Sequence, residues 1–321
     1  MTSTITNPPI QTPERPKRPL KPRLFRWAIA LAIIVPAIWS ALGLQVSLER
    51  LVEAPGDIWT IVRQLVPPDL SADALQRAVP KMLESLYIAW IGTLIGAFFS
   101  FPLAFLAAKN VTPGWISNSV RQVLNGIRAV PELLVAMVLI PVTGLGAWTG
   151  TLAIGIHSIG TLGKLSSEVI EGIDPGPVQA VASAGGTWIQ RMRFAIVPQV
   201  MPNIVAYWLY RFEVNIRASA VLGIVGAGGI GAELVSQLRF RDFARAGTVL
   251  FITVAVVLLV DMTSGRLRRR IISGRTEAGP VAAFVRMRPL HRALIVVGLV
   301  MAAALLTFVL YQLEVALNPL A

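Results

Sequence analysis

Six polar side chains lie within long apolar segments of the sequence, where charges and hydrogen-bonding groups are costly unless they find partners. They are His157, Ser158, Arg211, Glu213, Asn215 and Arg217. A charged side chain at the centre of a bilayer costs about 3 kcal/mol even on insertion scales, which give the lower values. Such residues mark either paired structural contacts or a route for polar solutes. Guanidinium donors suit an oxyanion.

The segment "YRFEVNIR" predicts two same-face pairs on one helix. Glu213 and Arg217 are four residues apart with the glutamate first, which is the favourable order for an ion pair, and Arg211 and Asn215 share this spacing. Two interpretations are open. The charges form a buried structural pair that fixes helix register, or they form a polar wall of a translocation path.

An earlier apolar segment carries His157, Ser158, Lys164 and Glu168 at roughly helical spacing. His157 could face the path, but a satisfied, neutral histidine against a neighbouring helix is the favoured interpretation. Ser158 could hydrogen-bond across helices. Lys164 and Glu168 could form an ion pair near the inner surface.

Arg128 and Glu132, in "IRAVPELL", repeat the four-residue spacing in the less favourable order. Pro131 between them should kink or start a helix. We expect both charges near the entry of a span, in a structural role.

The surrounding chain has the composition of a polytopic membrane protein. It has 321 residues, of which 55% are hydrophobic and 14% charged, and its mean hydropathy is +0.66. Several charge-free segments are long enough to cross about 30 Å of hydrocarbon. Cysteine is absent, which excludes disulfides and thiolate metal sites.

The formal net charge of +12 fits membrane orientation better than nucleic-acid binding. Basic residues cluster before the first apolar segment and between the last two, as the positive-inside rule expects, and no aromatic residues alternate with them. The pattern predicts a protein of the plasma or inner membrane whose amino terminus lies in the cytoplasm.

Charge and hydropathy together predict an all-α fold with about seven spans and an external carboxyl terminus. We expect the spans near residues 25–44, 84–108, 123–142, 148–170, 198–222, 244–262 and 293–313. Four parts follow: a disordered basic tail (1–24), a first span with external amphipathic helices capped at Ser71 or Asp73 (25–83), a core (84–270), and a basic connector with the seventh span (271–321).

The stretch "VQAVASAGGTWIQRMRFAIVPQ" predicts two short helices between spans. Asp174 is a natural N-cap with prolines in the first turn, and Gly185-Gly186 permits the turn that ends this helix. A second short helix is expected over 187–196, stopping at Val197-Pro198. An ordinary amphipathic surface helix is the alternative.

This stretch resembles the coupling loop of ABC-importer membrane subunits, which has Glu-Ala-Ala, a short spacer, Gly, a longer spacer and an apolar-Leu-Pro ending. Gln179 stands in place of the glutamate and Val197 in place of the leucine. The resemblance implies that this segment, here called the coupling loop (residues 174–198), seats in a groove of an ATP-binding subunit. The residues implied are Gln179, Ala180, Val181, Ala184, Gly185, Gly186 and Pro198.

Longer blocks are similar to the phosphonate-transport permease family: "HSIGTLGKLSSEVIEGIDPGPVQA", "YRFEVNIRASAVLGIVGAGGIG" and "IRAVPELL". The resemblance covers about residues 84–270 and implies a type I (MetI-like) permease core for phosphonate, phosphate or phosphite. It implies no catalytic, cofactor or metal site in this chain, since ATP binds a partner subunit. The implied partners are cytoplasmic ATPases, an external binding protein, a second copy of the chain and membrane lipid, but not nucleic acid.

Other functions explain less of the sequence. Gly226, Gly228 and Gly231 form a Gly-x-Gly-x-x-Gly pattern, but no βαβ unit surrounds them, and close helix packing or a broken helix explains them more simply. An ion-coupled secondary transporter would show internal inverted repeats, which we do not find. A permease of the same fold for another small solute remains an alternative, and a scaffold or sensor would need neither the coupling loop nor mid-span charge.

Overall fold

The computed structural model describes residues 20–43 and 48–273, and within these ranges all regular structure is helical. The helices are α1 (Leu20–Gly43), α2 (Leu48–Leu65), α3 (Ala72–Ala107), α4 (Gly114–Ala129), α5 (Glu132–Thr143), α6 (Ala147–Glu171), α7 (Pro175–Ser183), α8 (Trp188–Arg191), α9 (Val197–Leu222), α10 (Ile230–Arg239) and α11 (Phe243–Ser273). The all-α prediction is confirmed there. Residues 1–19 of the predicted tail (1–24) and the predicted seventh span lie outside the described residues, and residues 20–24 form the start of α1.

The chain divides into two compact units at Thr60 and Ile61, within α2. In the first unit, α1 is an apolar helix that exposes Trp27 and Trp39, as a lipid-facing span does. The second unit contains every candidate site residue.

Helix α3 is longer than the expected second span. The Ser71 hydroxyl caps it by accepting a hydrogen bond from the Ala74 amide, as predicted, but the helix then continues unbroken for 36 residues. The segment expected to be a separate external helix is therefore the first part of α3. Pro80 lies within this helix without ending it.

Glycines allow α3 and α6 to pack with their backbones close together. A Cβ atom on Gly96 would lie 2.4 Å from Cβ of Ser158, and one on Gly155 would lie 2.9 Å from Cγ2 of Ile95. In lipid, helices lack a hydrophobic driving force for association, and small residues such as these allow the close van der Waals packing that holds them together instead. Helix α6 becomes the central element, packed against α3, α4, α5 and α9.

The expected third span is not one straight helix. Its residues form α4 and α5, which are bent by 85° at Val130-Pro131. The residue before a proline avoids the helical region, so Val130 is extended and Pro131 becomes the N-cap of α5. The sequence predicted that Pro131 either kinks a helix or starts one. The structure shows that it starts one.

A glycine loop separates α9 from α10. Gly226, Gly228 and Gly229 all have positive φ, and the two helical segments on either side are bent by 43°. The loop packs into the bundle, where the Ile230 amide donates to the Ser85 hydroxyl at 2.8 Å. The Gly-x-Gly-x-x-Gly pattern is therefore a helix break, as the simpler interpretation expected.

By length and apolar composition, α3 and α11 could each cross a membrane, and the number rises to four if each bent pair is one span. Buried Gly, Ser and Thr residues lower the hydropathy of α6 because protein, not lipid, surrounds it. The count of seven spans, and the four-part division of the chain, stay predictions; residues 84 and 270 fall inside α3 and α11.

We predict that Gly96→Leu destabilises the protein by about 1–3 kcal/mol or more, because the side chain must displace Ser158. The measurement is the apparent melting temperature of the purified protein in detergent. Gly265→Leu is the matched control, since a Cβ at Gly265 would meet nothing within 4 Å. An unchanged melting temperature for Gly96→Leu would show that the α3 and α6 contact is looser than the structure has it.

Candidate functional site

Helix α9 carries its polar residues on two separate faces. Arg211 and Asn215 point toward α3 and α6 and are buried. Glu213 lies two residues from each of them, about 200° around the helix, and contacts α11. The four residues that the sequence grouped as candidate path residues therefore form two clusters.

The inner cluster joins three helices through the Ser158 hydroxyl of α6 and the Asn215 amide of α9. The Ser158 Oγ accepts from Arg211 Nε at 3.1 Å and from Asn215 Nδ2 at 3.1 Å. Asn215 Nδ2 also lies 2.8 Å from Thr93 Oγ1, which donates to the Ala89 carbonyl. Asn215 is fully buried, and its Oδ1 has no hydrogen-bond partner among the described residues.

Arg211 differs from the other arginine of α9. It is only 8% exposed, yet in the described part of the chain no carboxylate oxygen lies within 4 Å of its guanidinium. Ser158 supplies one neutral hydrogen bond to a group that has five N–H donors. The charge of Arg211 is thus left without a direct counter-ion.

His157 stabilises the break between α4 and α5. Its Nδ1 lies 3.1 Å from the Val130 carbonyl oxygen, and because a carbonyl only accepts, Nδ1 carries the proton in this contact. Its Nε2 lies 3.7 Å from Glu132 Oε2. The Val130 contact gives one ring nitrogen a partner outside α6, as the satisfied-histidine interpretation expects, while the neutral charge state of His157 stays a prediction.

The expected contact between Arg128 and Glu132 is absent from the ion pairs of the described residues. The 85° bend at Pro131 separates the two side chains, so the four-residue spacing no longer places them on one face. The aliphatic part of Arg128 instead lies beside Gly160, where a Cβ would be 2.9 Å from Arg128 Cγ. Lys164 and Glu168 do pair, at 3.2 Å.

The outer cluster places one buried carboxylate between two arginines. Glu213 Oε1 lies 3.1 Å from Arg217 Nη2, as the spacing predicted, and Oε2 lies 3.3 Å from Arg268 Nη2. The Arg268 guanidinium also lies over the Tyr210 ring, 5.5 Å from its centroid. Sequence analysis assigned Arg268 to an orienting basic run and missed this contact.

The coupling loop is a compact helical hairpin. Asp174 caps α7 through a 2.9 Å bond from the Gly176 amide to its Oδ1. Gly185 ends α7 with φ of +75°, and a Cβ on Gly186 would lie 2.6 Å from the Val181 carbonyl oxygen. None of the α7 residues is buried in the structure.

The second helix of the loop does not stop at Pro198, as the sequence had suggested. A capping box at Thr187 and Gln190 begins α8, which passes through a π-helical turn (Met192–Ile196) directly into α9. A proline is tolerated in the first turn of a helix, and the π turn re-phases the backbone before it. The helix is therefore continuous from the loop into the membrane segment that carries the two polar clusters.

Apolar packing fixes the loop to the bundle. Val178 and Met192 pack against a core cluster that includes Ala108, Ile170 and Val200. The amide side chain of Gln199 accepts from the Asp174 amide at 3.1 Å and donates to its carbonyl at 3.3 Å. A cavity of about 690 Å³ between the loop and the bundle is lined in part by the same two residues.

A groove of about 460 Å³ runs over the outer surface of the hairpin. Most of the residues that sequence analysis assigned to coupling line it, together with Gln190 and Phe194: these are Ala180, Val181, Ala184, Gly185 and Gly186. Gln179 lies exposed on α7, whereas Pro198 lines the inner cavity instead.

Comparisons with known proteins match most of the chain. Residues 100–275 match the family described as binding-protein-dependent transport system inner membrane component. The phosphite transport system permease protein PtxC of Stutzerimonas stutzeri is 38% identical over 248 residues, 77% of this chain and 89% of that protein. The phosphate-import permease protein PhnE of Mycolicibacterium smegmatis is 35% identical over 258 residues, 79% of this chain and 48% of that protein.

Among solved structures, a chain of the MetNI methionine ABC transporter in an inward-facing conformation matches with a TM-score of 0.57 at 20% identity. The match covers 63% of this chain and 99% of that chain. At this identity the likeness concerns the fold alone.

We predict that Glu213→Gln lowers stability more than Arg217→Gln does. The carboxylate is 6% exposed, whereas the Arg217 side chain is 53% exposed, and breaking a largely buried pair costs about 1–3 kcal/mol after allowance for the partial exposure of Arg268. Melting temperatures in detergent give the ranking. The double variant Glu213→Gln/Arg268→Gln should lose less than the sum of the single losses; strict additivity would show that the pair contributes nothing.

Proposed function

The chain belongs to the family of binding-protein-dependent transport system inner membrane components, and on that premise we propose that it is the permease subunit of an ATP-driven importer of a phosphorus oxyanion. The observation that carries the proposal is the similarity to the phosphite and phosphate permeases over more than three quarters of the chain. Phosphite, phosphate and phosphonate share the tetrahedral oxyanion that such a route must pass.

The inner cluster supports an anionic substrate. Arg211 is a buried cation without a direct counter-ion among the described residues, and an intramembrane charge of this kind marks a substrate pathway. We propose that Arg211, Asn215, Ser158 and His157 border the path. Glu213 and Arg217, the other two residues considered for it, satisfy one another and fit a structural role better.

ATP is bound by separate cytoplasmic subunits in this proposal, and this chain holds no cofactor. The exposed hairpin of α7 and α8 is the surface offered to the ATPase, with the groove over Ala180 and Val181 as its centre. Gln179 replaces the glutamate of the family signature, so docking depends on shape and not on a salt bridge from that position.

Force reaches the path through one continuous helix. Closure of the ATPase dimer displaces the coupling loop, and the unbroken passage from α8 through the π turn into α9 carries the displacement toward Arg211 and Asn215. The apolar cluster beneath the loop includes residues of α3, α6 and α9, so these helices move with it. The result is a rigid-body change between inward-open and outward-open states.

The assembly that we propose contains two copies of this chain, two ATPases and an external binding protein that selects the substrate. The amino terminus lies in the cytoplasm, on the same side as the coupling loop. An ion-coupled carrier of the same fold would transport without the ATPase, and a permease for another solute would keep the ATPase but fail to transport phosphorus oxyanions, so one uptake assay distinguishes all three.

We predict that Gly186→Leu abolishes co-purification of the ATPase, because the new side chain collides with Val181 and opens the hairpin. Gly185→Asn is the matched control. Its position needs a positive φ but has open space, and asparagine tolerates the left-handed conformation. Normal uptake in Gly186→Leu despite loss of the ATPase would argue for an ion-driven carrier, whereas a retained ATPase would show that docking does not depend on the shape of this hairpin.

We predict that Arg211→Met reduces uptake of phosphite or phosphate at least ~10-fold, whereas Arg211→Lys retains part of it, since lysine keeps the charge without the planar donor array. Uptake of the radiolabelled anion into cells is normalised to membrane protein level and to bound ATPase. Uptake that persists in Arg211→Met would make the arginine architectural. Ser158→Ala, which keeps the charge of Arg211 but removes the hydrogen bonds that Ser158 accepts from Arg211 and Asn215, serves for comparison.

A further inference from the structure

Helix α4 lies against one half of α6, the half that ends at the coupling loop. Near its middle, Arg121 pairs with Glu171 at the end of α6. One turn later, Leu124 fills the space beside Gly163, where a Cβ would be 2.8 Å from Leu124 Cδ2. At its end, the Val130 carbonyl meets His157, near the centre of α6. Helix α4 therefore extends from the level of the middle of α6 to the loop end of the bundle.

The two flanks of α4 differ in chemistry and in exposure: the apolar flank is half-buried except at Val123. Ser117 and Leu124 are buried between them and face the bundle. At about 100° per residue, one flank carries the apolar residues Ile116, Val120, Val123 and Ile127. The other flank carries Asn118, Gln122 and Asn125, and all three are exposed. We call these three residues the amide flank.

Lipid cannot cover the amide flank without cost. None of its three side chains forms a hydrogen bond with the described part of the chain, and hydrocarbon offers no donor or acceptor. Polar residues within spans accordingly face the bundle interior or a water-filled cavity. Val123, on the opposite flank, is 59% exposed and has the chemistry that lipid requires.

The amide flank leads from the coupling-loop end toward the cationic centre of the molecule. Asn125 is followed at the next turn by the exposed Arg128. Arg128, Arg211 and the carboxylate of Glu132 all act electrostatically on His157, so these four ionisable groups lie in one neighbourhood. Neutral amides donate and accept hydrogen bonds, which suits a hydrated anion that must leave without being held.

We infer that the amide flank of α4 lines a water-filled inner vestibule, through which a hydrated oxyanion passes between the Arg211 centre and the coupling-loop end. The role of the vestibule as an exit rests on the proposed transport function. The inference that the vestibule contains water does not depend on that function. A second copy of the chain packed on this flank would leave it dry, and the test must separate these cases.

The natural absence of cysteine makes the test direct. Single cysteines are placed by Asn118→Cys, Gln122→Cys and Asn125→Cys, with Val123→Cys as the control of comparable exposure on the apolar flank. The assembled transporter in membrane vesicles is treated on both faces with a charged, membrane-impermeant thiol reagent. Only variants with normal protein level and ATPase binding are compared. Ala129, which is exposed on the same side of α4 as the amide flank, provides Ala129→Cys as a replacement for any variant that fails.

The amide-flank cysteines should react at least ~10-fold faster than the control, because a thiol in apolar surroundings has a raised pKa and forms little thiolate. Rates equal to that of Val123→Cys would overturn the inference, as would efficient disulfide cross-linking between two copies through Asn125→Cys. If the labelling pattern holds but added phosphite does not slow it and is not transported, the vestibule stands and the proposed substrate falls.

Discussion

A single hydroxyl group, that of Ser158, determines how the membrane core of this protein is assembled. It accepts hydrogen bonds from Arg211 and Asn215, which are buried where no water replaces a lost partner. Thr93 of α3 extends the network through its contact with Asn215, and the close approach of α3 to Ser158 requires glycine at position 96. The polar centre and the glycine contact therefore depend on each other: either alone would leave a void or an unsatisfied group.

Much of this architecture was predictable from local sequence. Caps and turns follow from the chemistry of a few neighbouring residues, so Ser71, Asp174 and Gly185 act where the sequence predicted. The pair of Glu213 and Arg217 was also predictable, because four-residue spacing on one helix fixes its geometry. The inner cluster was half predicted: the residues were recognised, but their common partner Ser158 depends on how α6 and α9 cross.

The features that sequence missed arise from contacts between distant segments or from backbone continuity. Arg268 pairs with Glu213 across 55 residues, and a basic run gives no sign of which arginine turns inward. Pro198 looked like a helix end, yet the preceding π turn carries the helix through it. Pro131 has the opposite outcome, since nothing re-phases the backbone there and the chain bends by 85°. A proline alone therefore does not determine whether a helix continues.

The two arginines of α9 differ in the partners that surround their charges. Glu213 pairs with both Arg217 and Arg268 at the side of the bundle, and this cluster holds α9 against α11. Arg211 is more deeply buried than either of these arginines, yet its direct hydrogen-bond partner is a neutral hydroxyl, and the carboxylate of Glu132 acts on it only from beyond contact distance. A protein that required only stability would gain by placing a carboxylate beside Arg211, and a permanent counter-ion there would compete with an anion in transit. If Arg211 borders the path, as we propose, its incomplete satisfaction is what a passing oxyanion can use, while the cost is offset by the packing that surrounds it.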